Sequence, residues 1–171
     1  MNEIIKELLK DIASMLVHLQ VSVRRVPTLN PDAIRDEEDW EPFDAMCARF
    51  ERVIDVMSNQ LFVSVELYWY GDKSVNTRDR FLRMEKQGYL NSVDQWFDMR
   101  ISRNKIAHAY VPSQLRTIYS DIIRSATLLQ DTYERIVAQF NDEKISKQRP
   151  NLLEKTVTYR RRYREIPNNH M

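Results

Sequence analysis

Glycine occurs only twice in this 171-residue chain, at Gly71 and Gly88. So few glycines argue against sheets joined by tight turns, which need left-handed backbone again and again. They also exclude a glycine-rich phosphate loop, because neither nucleotide-binding fingerprint can be written with two scattered glycines. The single cysteine, Cys47, excludes a disulfide framework and a cysteine-based zinc site. Histidine occurs at His18, His108 and His170, too scattered to suggest a metal cluster, so neither metal nor cofactor is expected. No apolar run approaches the roughly 18 residues that span a membrane. The chain opens Met-Asn-Glu and stays charged, unlike a secretory signal. These absences point to a soluble, cytoplasmic, all-α protein.

What is present is charge and helical periodicity. Charged residues make up 30% of the chain and the net charge is only +1, but the distribution is uneven. Residues 142–171 carry eight Lys or Arg against four acids, a net of +4, and the remainder carries −3. A mildly acidic body with a basic tail suggests a tail that meets a polyanion or an acidic partner. A solvated tail accounts for the same charges.

Ile4, Ile5, Leu8, Leu9, Ile12, Met15, Leu16, Leu19 and Val23 recur at helical spacing, with Lys6, Glu7, Lys10 and Asp11 opposite. His18 reads as a partly exposed residue of this first helix. Pro27 and Pro31 mark a polar connection over Thr28 to Glu38. A second helix is expected to start near Trp40 to Pro42, with Pro42 in its first turn. Phe43, Met46, Phe50, Val53, Ile54, Met57, Leu61 and Val65 continue it toward Gly71, a suitable C-cap. The cluster Tyr68, Trp69 and Tyr70 at its end reads as packing in preference to a base-stacking platform. Asn76-Thr77 caps a short third helix that stops at Gly88, and Asn91 or Ser92 caps a fourth. Ser113 is expected to cap the last, which carries the longest apolar stripe, from Leu115 to Phe140. Four or five helices with short connections predict an antiparallel up-and-down bundle over residues 1–141, followed by the basic tail, 142–171.

One segment concentrates polar groups near a helix end: Met99 to Tyr110, including Arg103, Asn104, Lys105 and His108. Arg103 and His108 stand about 140° apart on a regular helix, whereas Asn104 and His108, four apart, share a face. If the helix frays near Ala107 to Tyr110, Arg103, Asn104, His108 and Tyr110 can face one groove. A histidine can pass a proton near neutrality, and an arginine can hold a phosphate and stabilise charge developing on it. RNA supplies its own nucleophile, the 2′-hydroxyl. One His and one Arg fall short of an acid–base pair, but two copies facing each other supply two histidines. On spacing alone, Arg103 and His108 also read as ordinary cationic residues at a helix C-terminus.

The run Arg-Asn-x-x-Ala-His-x-Tyr, carried by Arg103, Asn104, His108 and Tyr110, resembles the signature of the HEPN superfamily. More narrowly, it is similar to the HepT toxins, small helical proteins paired with a minimal nucleotidyltransferase antitoxin, MntA. The resemblance covers about Trp40 to Phe140. It implies a homodimer of helical bundles whose motif lines a shared cleft, and a metal-independent endoribonuclease acting on transfer RNA or messenger RNA. Arg103 and His108 would be catalytic with Asn104 in support, and Tyr110 would receive AMP groups from the antitoxin. Negative charge added there would block an RNA cleft. The first helix and the basic tail are additions to the usual pattern. Within the tail, Arg160, Arg161 and Arg162 between Tyr159 and Tyr163 suit a phosphate track, with Lys105 as a further RNA contact. Two other readings stay open: a non-catalytic nucleotide- or partner-binding companion of a nucleotidyltransferase, and a structural bundle in which the motif is accidental.

Overall fold

The computed structural model describes residues 3–26, 37–106 and 112–141, and these are all-helical with no strand among them. The chain divides into two units, Met1–Ile136 and Val137–Met171, of which the second contributes only the last turn of a helix to the described residues. The helices are α1 (Glu3–Arg25), α2 (Glu37–Val56), α3 (Phe62–Tyr70), α4 (Thr77–Lys86), α5 (Val93–Ile106) and α6 (Pro112–Asn141). A π-helical turn, Met57–Leu61, joins α2 to α3 without a break, so the described residues form five rods. No helix among them is long and apolar enough to cross a membrane.

On α1 the buried apolar residues are Ile5, Leu9, Ile12, Leu16 and Leu19, the expected stripe at steps of three and four, with Ser22 buried after them. Ile4, grouped with them by periodicity, is 56% exposed because the face turns past it. This stripe packs on α2 and reaches the π turn and α3. Arg49 on α2 ties the two helices by donating to the His18 carbonyl at 3.3 Å and to the Ser22 hydroxyl. The His18 side chain is exposed, as its place on α1 suggested.

The second rod starts earlier than its apolar pattern implied. It begins at Glu37, so Pro42 lies in the second turn and costs one intrahelical hydrogen bond there. Its first residues, Glu37, Glu38 and Asp39, are acidic, which suits a helix N-terminus, but they carry no hydrophobic period. Likewise α6 starts at Pro112, whose fixed φ suits the first helical position, so Ser113 is inside the helix and is not its N-cap.

The π turn has a cause in the sequence. Buried residues on the rod fall in pairs: Val53 and Ile54, Met57 and Ser58, Leu61 and Phe62, Val65 and Glu66. These pairs recur every four residues, and a regular helix would rotate such a ladder by about 40° per step, or about 120° over three steps. One extra residue in a widened turn removes most of that drift, so both ends of the rod keep facing the core.

The two glycines both close helices. Gly71 ends α3 at φ +74°, its N–H bonded to the Leu67 carbonyl at 3.0 Å. Gly88, at φ +78°, closes α4 in a Schellman motif: its N–H bonds to Glu85 at 2.8 Å and that of Tyr89 to Met84 at 3.0 Å. Both positions lie in the left-handed region that L side chains avoid. Asn76 caps α4 by accepting from the Asp79 N–H at 2.9 Å, and of the two residues considered for α5 it is Ser92 whose hydroxyl accepts from Gln95.

The core of α3, α4 and α5 is aromatic. Phe62, Phe81 and Trp96 meet edge to face with ring centroids 4.7–5.8 Å apart, the favoured arrangement for aromatic rings. Tyr119 of α6 stacks on Phe43 of α2 at 4.7 Å, and Asn91, just before α5, bonds Asp131 of α6 at 2.8 Å. Ile122, Ala126, Leu129 and Ile136 of α6 are buried, in line with its apolar period. Leu82 of α4 and Ile101 of α5 are 45% and 49% exposed.

Candidate functional site

The last turn of α5 carries Ser102, Arg103, Asn104 and Lys105, and α5 packs against α2. Successive residues on a helix point about 100° apart, so these side chains part company. Ser102 is buried, Arg103 is about one-third exposed, and Asn104 and Lys105 are exposed. Arg103 turns toward α2, where its Nη2 donates to Asp55 Oδ2 at 2.8 Å. Its Nη1 makes a longer bond to Asn104 Oδ1, 3.4 Å. The hydrogen bond to Asp55 is the main reason the guanidinium is held above its ordinary pKa. Burial opposes this effect, and the charges of Asp55 and Glu51 add to it.

Two buried side-chain polar atoms have no hydrogen-bond partner among the described residues: Arg103 Nε and Ser58 Oγ. Ser58 belongs to the π turn, three residues beyond Asp55. Buried polar atoms are nearly always paired, so two unpaired ones on the segments that hold Arg103 set this region apart. π turns inside α-helices also gather at functional positions.

The sequence motif is therefore brought together in part. Arg103 and Asn104 touch, but Lys105 points elsewhere, into a groove of about 410 Å³ between α5 and α6. Gln95, Asp98 and Ser102 of α5, with Asp121 and Arg124 of α6, also line that groove. Its two acids and two bases leave it without a dominant sign. His108 and Tyr110 lie outside the described residues, as do Arg160, Arg161, Arg162 and the rest of 142–171. Asp55 was not visible from sequence. It stands 48 residues from Arg103 and looks like any acid on the wet side of a helix.

Other reactive groups are spoken for. Cys47 is buried, and burial first, then the charges of Asp44 and Glu51, pushes its thiol from 9.0 up to about 12. It carries no thiolate at neutral pH and is no nucleophile. The aromatic cluster packs, as expected. Trp69 donates to Tyr89 at 2.8 Å, Tyr70 accepts from Gln87 at 2.9 Å, and the Arg83 guanidinium lies 4.7 Å over the Tyr70 ring. Burial pushes the Tyr89 hydroxyl well above its ordinary pKa. Among the described residues, no three His, Cys, Asp or Glu side chains converge as metal ligands. No protein-family model matches the chain, and no curated protein matches it.

Proposed function

We propose that this chain is a HEPN-type toxin: a metal-independent endoribonuclease of the cytoplasm, related to HepT, that works as a homodimer of antiparallel helical bundles. The observation that carries the reading is Arg103, fixed by Asp55 at the end of α5, charged and one-third exposed, with Asn104 beside it. A guanidinium held this way can receive a phosphate oxygen.

The chemistry follows from the residue types. The RNA 2′-hydroxyl attacks the adjacent phosphorus, forming a P–O bond, and the bond to the departing 5′-oxygen breaks. His108 of one protomer takes the hydroxyl proton, and the partner's His108 protonates the leaving oxygen. Arg103 stabilises the charge that builds on the non-bridging oxygens. An MntA-like nucleotidyltransferase would silence the toxin by attaching AMP to Tyr110, and the basic run at Arg160, Arg161 and Arg162 would track the RNA backbone.

The deciding experiment is induced expression of the wild-type chain beside His108→Ala, with growth followed and total RNA resolved on a gel. Growth arrest with RNA fragments from the wild type alone is the expected result. An equally toxic, RNA-cutting His108→Ala variant overturns the mechanism. Absence of arrest and of fragments in both moves the protein to the binding companion of a nucleotidyltransferase.

A further inference from the structure

We infer that Asp55 is the positioning residue for Arg103, setting which of its donors face a phosphate. The inference rests on the reading of Arg103 as the phosphate-binding residue. A guanidinium has five N–H donors in one plane. On Arg103, Nη2 spends one on Asp55 at 2.8 Å, and Nε is buried with no partner among the described residues. Nη1 makes only the 3.4 Å bond to Asn104. One side of the fork is thus pinned inward, and the donors left for a ligand are on Nη1 and the second hydrogen of Nη2.

The pin comes from a different helix. Asp55 lies on α2, two residues before the π turn begins at Met57, so Arg103 is located by the packing of α2 on α5. Among the described residues the long, flexible arginine side chain has no other hydrogen-bond partner at its terminal nitrogens, its bond to Asn104 being weak in geometry. Without Asp55 it would spread over several rotamers, and the cost of ordering it would fall on the transition state, where charge builds on the phosphate. Asp55 itself need not touch the substrate. Its effect passes through Arg103, which predicts a loss in kcat with little change in KM, and no loss at all once Arg103 is gone.

The test uses the purified full-length chain and a fluorophore-labelled single-stranded RNA oligonucleotide containing all four bases. Asp55→Ala is expected to lower kcat by about 100-fold, the scale of a catalytic group displaced by an ångström. Asp55→Asn, whose amide oxygen still accepts from Nη2, is expected to recover part of it. In an Arg103→Ala background, Asp55→Ala is expected to cost nothing more. A folded Asp55→Ala variant with wild-type kcat, or one whose loss adds in full to that of Arg103→Ala, overturns the inference. If the wild-type chain cleaves no RNA, the nuclease reading fails by itself. Asp55 is then judged by the Arg103 Nε–H signal in a ¹⁵N NMR spectrum. A distinct wild-type signal that merges with the exposed arginines in Asp55→Ala supports the positioning role. A signal unchanged by the substitution overturns it.

Discussion

Two acid–arginine clusters hang from the same helical rod, eleven residues apart, and they are built in opposite ways. Glu66 is fully buried, and its two carboxylate oxygens accept from Arg80 at 3.3 Å, Arg83 at 3.0 Å and the Ser74 hydroxyl. Arg83 also bonds Asp72 at 2.9 Å, which ties the loop after α3 into the same cluster. Asp55, by contrast, is 44% exposed and holds one nitrogen of one arginine. The first cluster satisfies its acid from three sides. The second leaves its arginine with donors to spare. A saturated cluster can only hold elements together, whereas an unsaturated one can still bind something.

Substitutions in each cluster should separate these roles. Glu66→Ala leaves two arginines facing a buried gap, and breaking such a pair costs about 3–5 kcal/mol. A drop of that size in chemical denaturation is the largest effect expected of any single change here, and a loss below about 1 kcal/mol would mean that the cluster is not structural. A smaller effect is expected at Gly71, which turns the chain toward Asp72 and Ser74. No atom would meet an added Cβ there, so the cost of Gly71→Ala is the left-handed backbone alone, about 1–2 kcal/mol. If Glu66→Ala and Gly71→Ala lose less together than the sum of their separate losses, the loop and the buried acid act as one unit. The smallest effect on stability belongs to Arg103→Ala. Its ion pair is open to solvent on both sides and screened, so the fold should lose no more than about 1 kcal/mol. A larger loss by thermal denaturation would make Arg103 a structural residue and erase the contrast.

The sequence made some of this architecture legible and hid the rest for physical reasons. Helix ends were readable where local chemistry sets them: Gly71 and Gly88 at C-termini, Asn76 and Ser92 at N-termini. The start of α2 was missed because Glu37 to Asp39 favour a helix electrostatically without joining the apolar stripe. The π turn leaves a trace that a search for the 3.6 period passes over, namely the pairs Val53-Ile54, Met57-Ser58 and Leu61-Phe62 at steps of four. Glu66 had a local signal too. It is the lone charge between Leu61 and Tyr70, and arginines three apart on the next helix stand ready for it. Asp55 had none, since its partner is brought to it only by the packing of α2 on α5. Of the candidate site, Arg103 and Asn104 were found by motif, but the direction Arg103 faces could only come from the fold.

The π turn also governs how the rod can evolve. Asp55 precedes the extra residue and Glu66 follows it, so the angle between the two acids around the rod depends on a count of residues. Loss of one residue at the exposed positions Asn59 or Gln60 would close the widened turn into regular α-helix and leave Asp55 and Glu66 on the faces they now hold, whereas a second loss would swing Glu66 about 100° away from Arg80 and Arg83. Substitutions at those two positions leave the screw unchanged. The rod is therefore permissive toward sequence and toward the loss of one residue at this turn, and strict toward any further change in length.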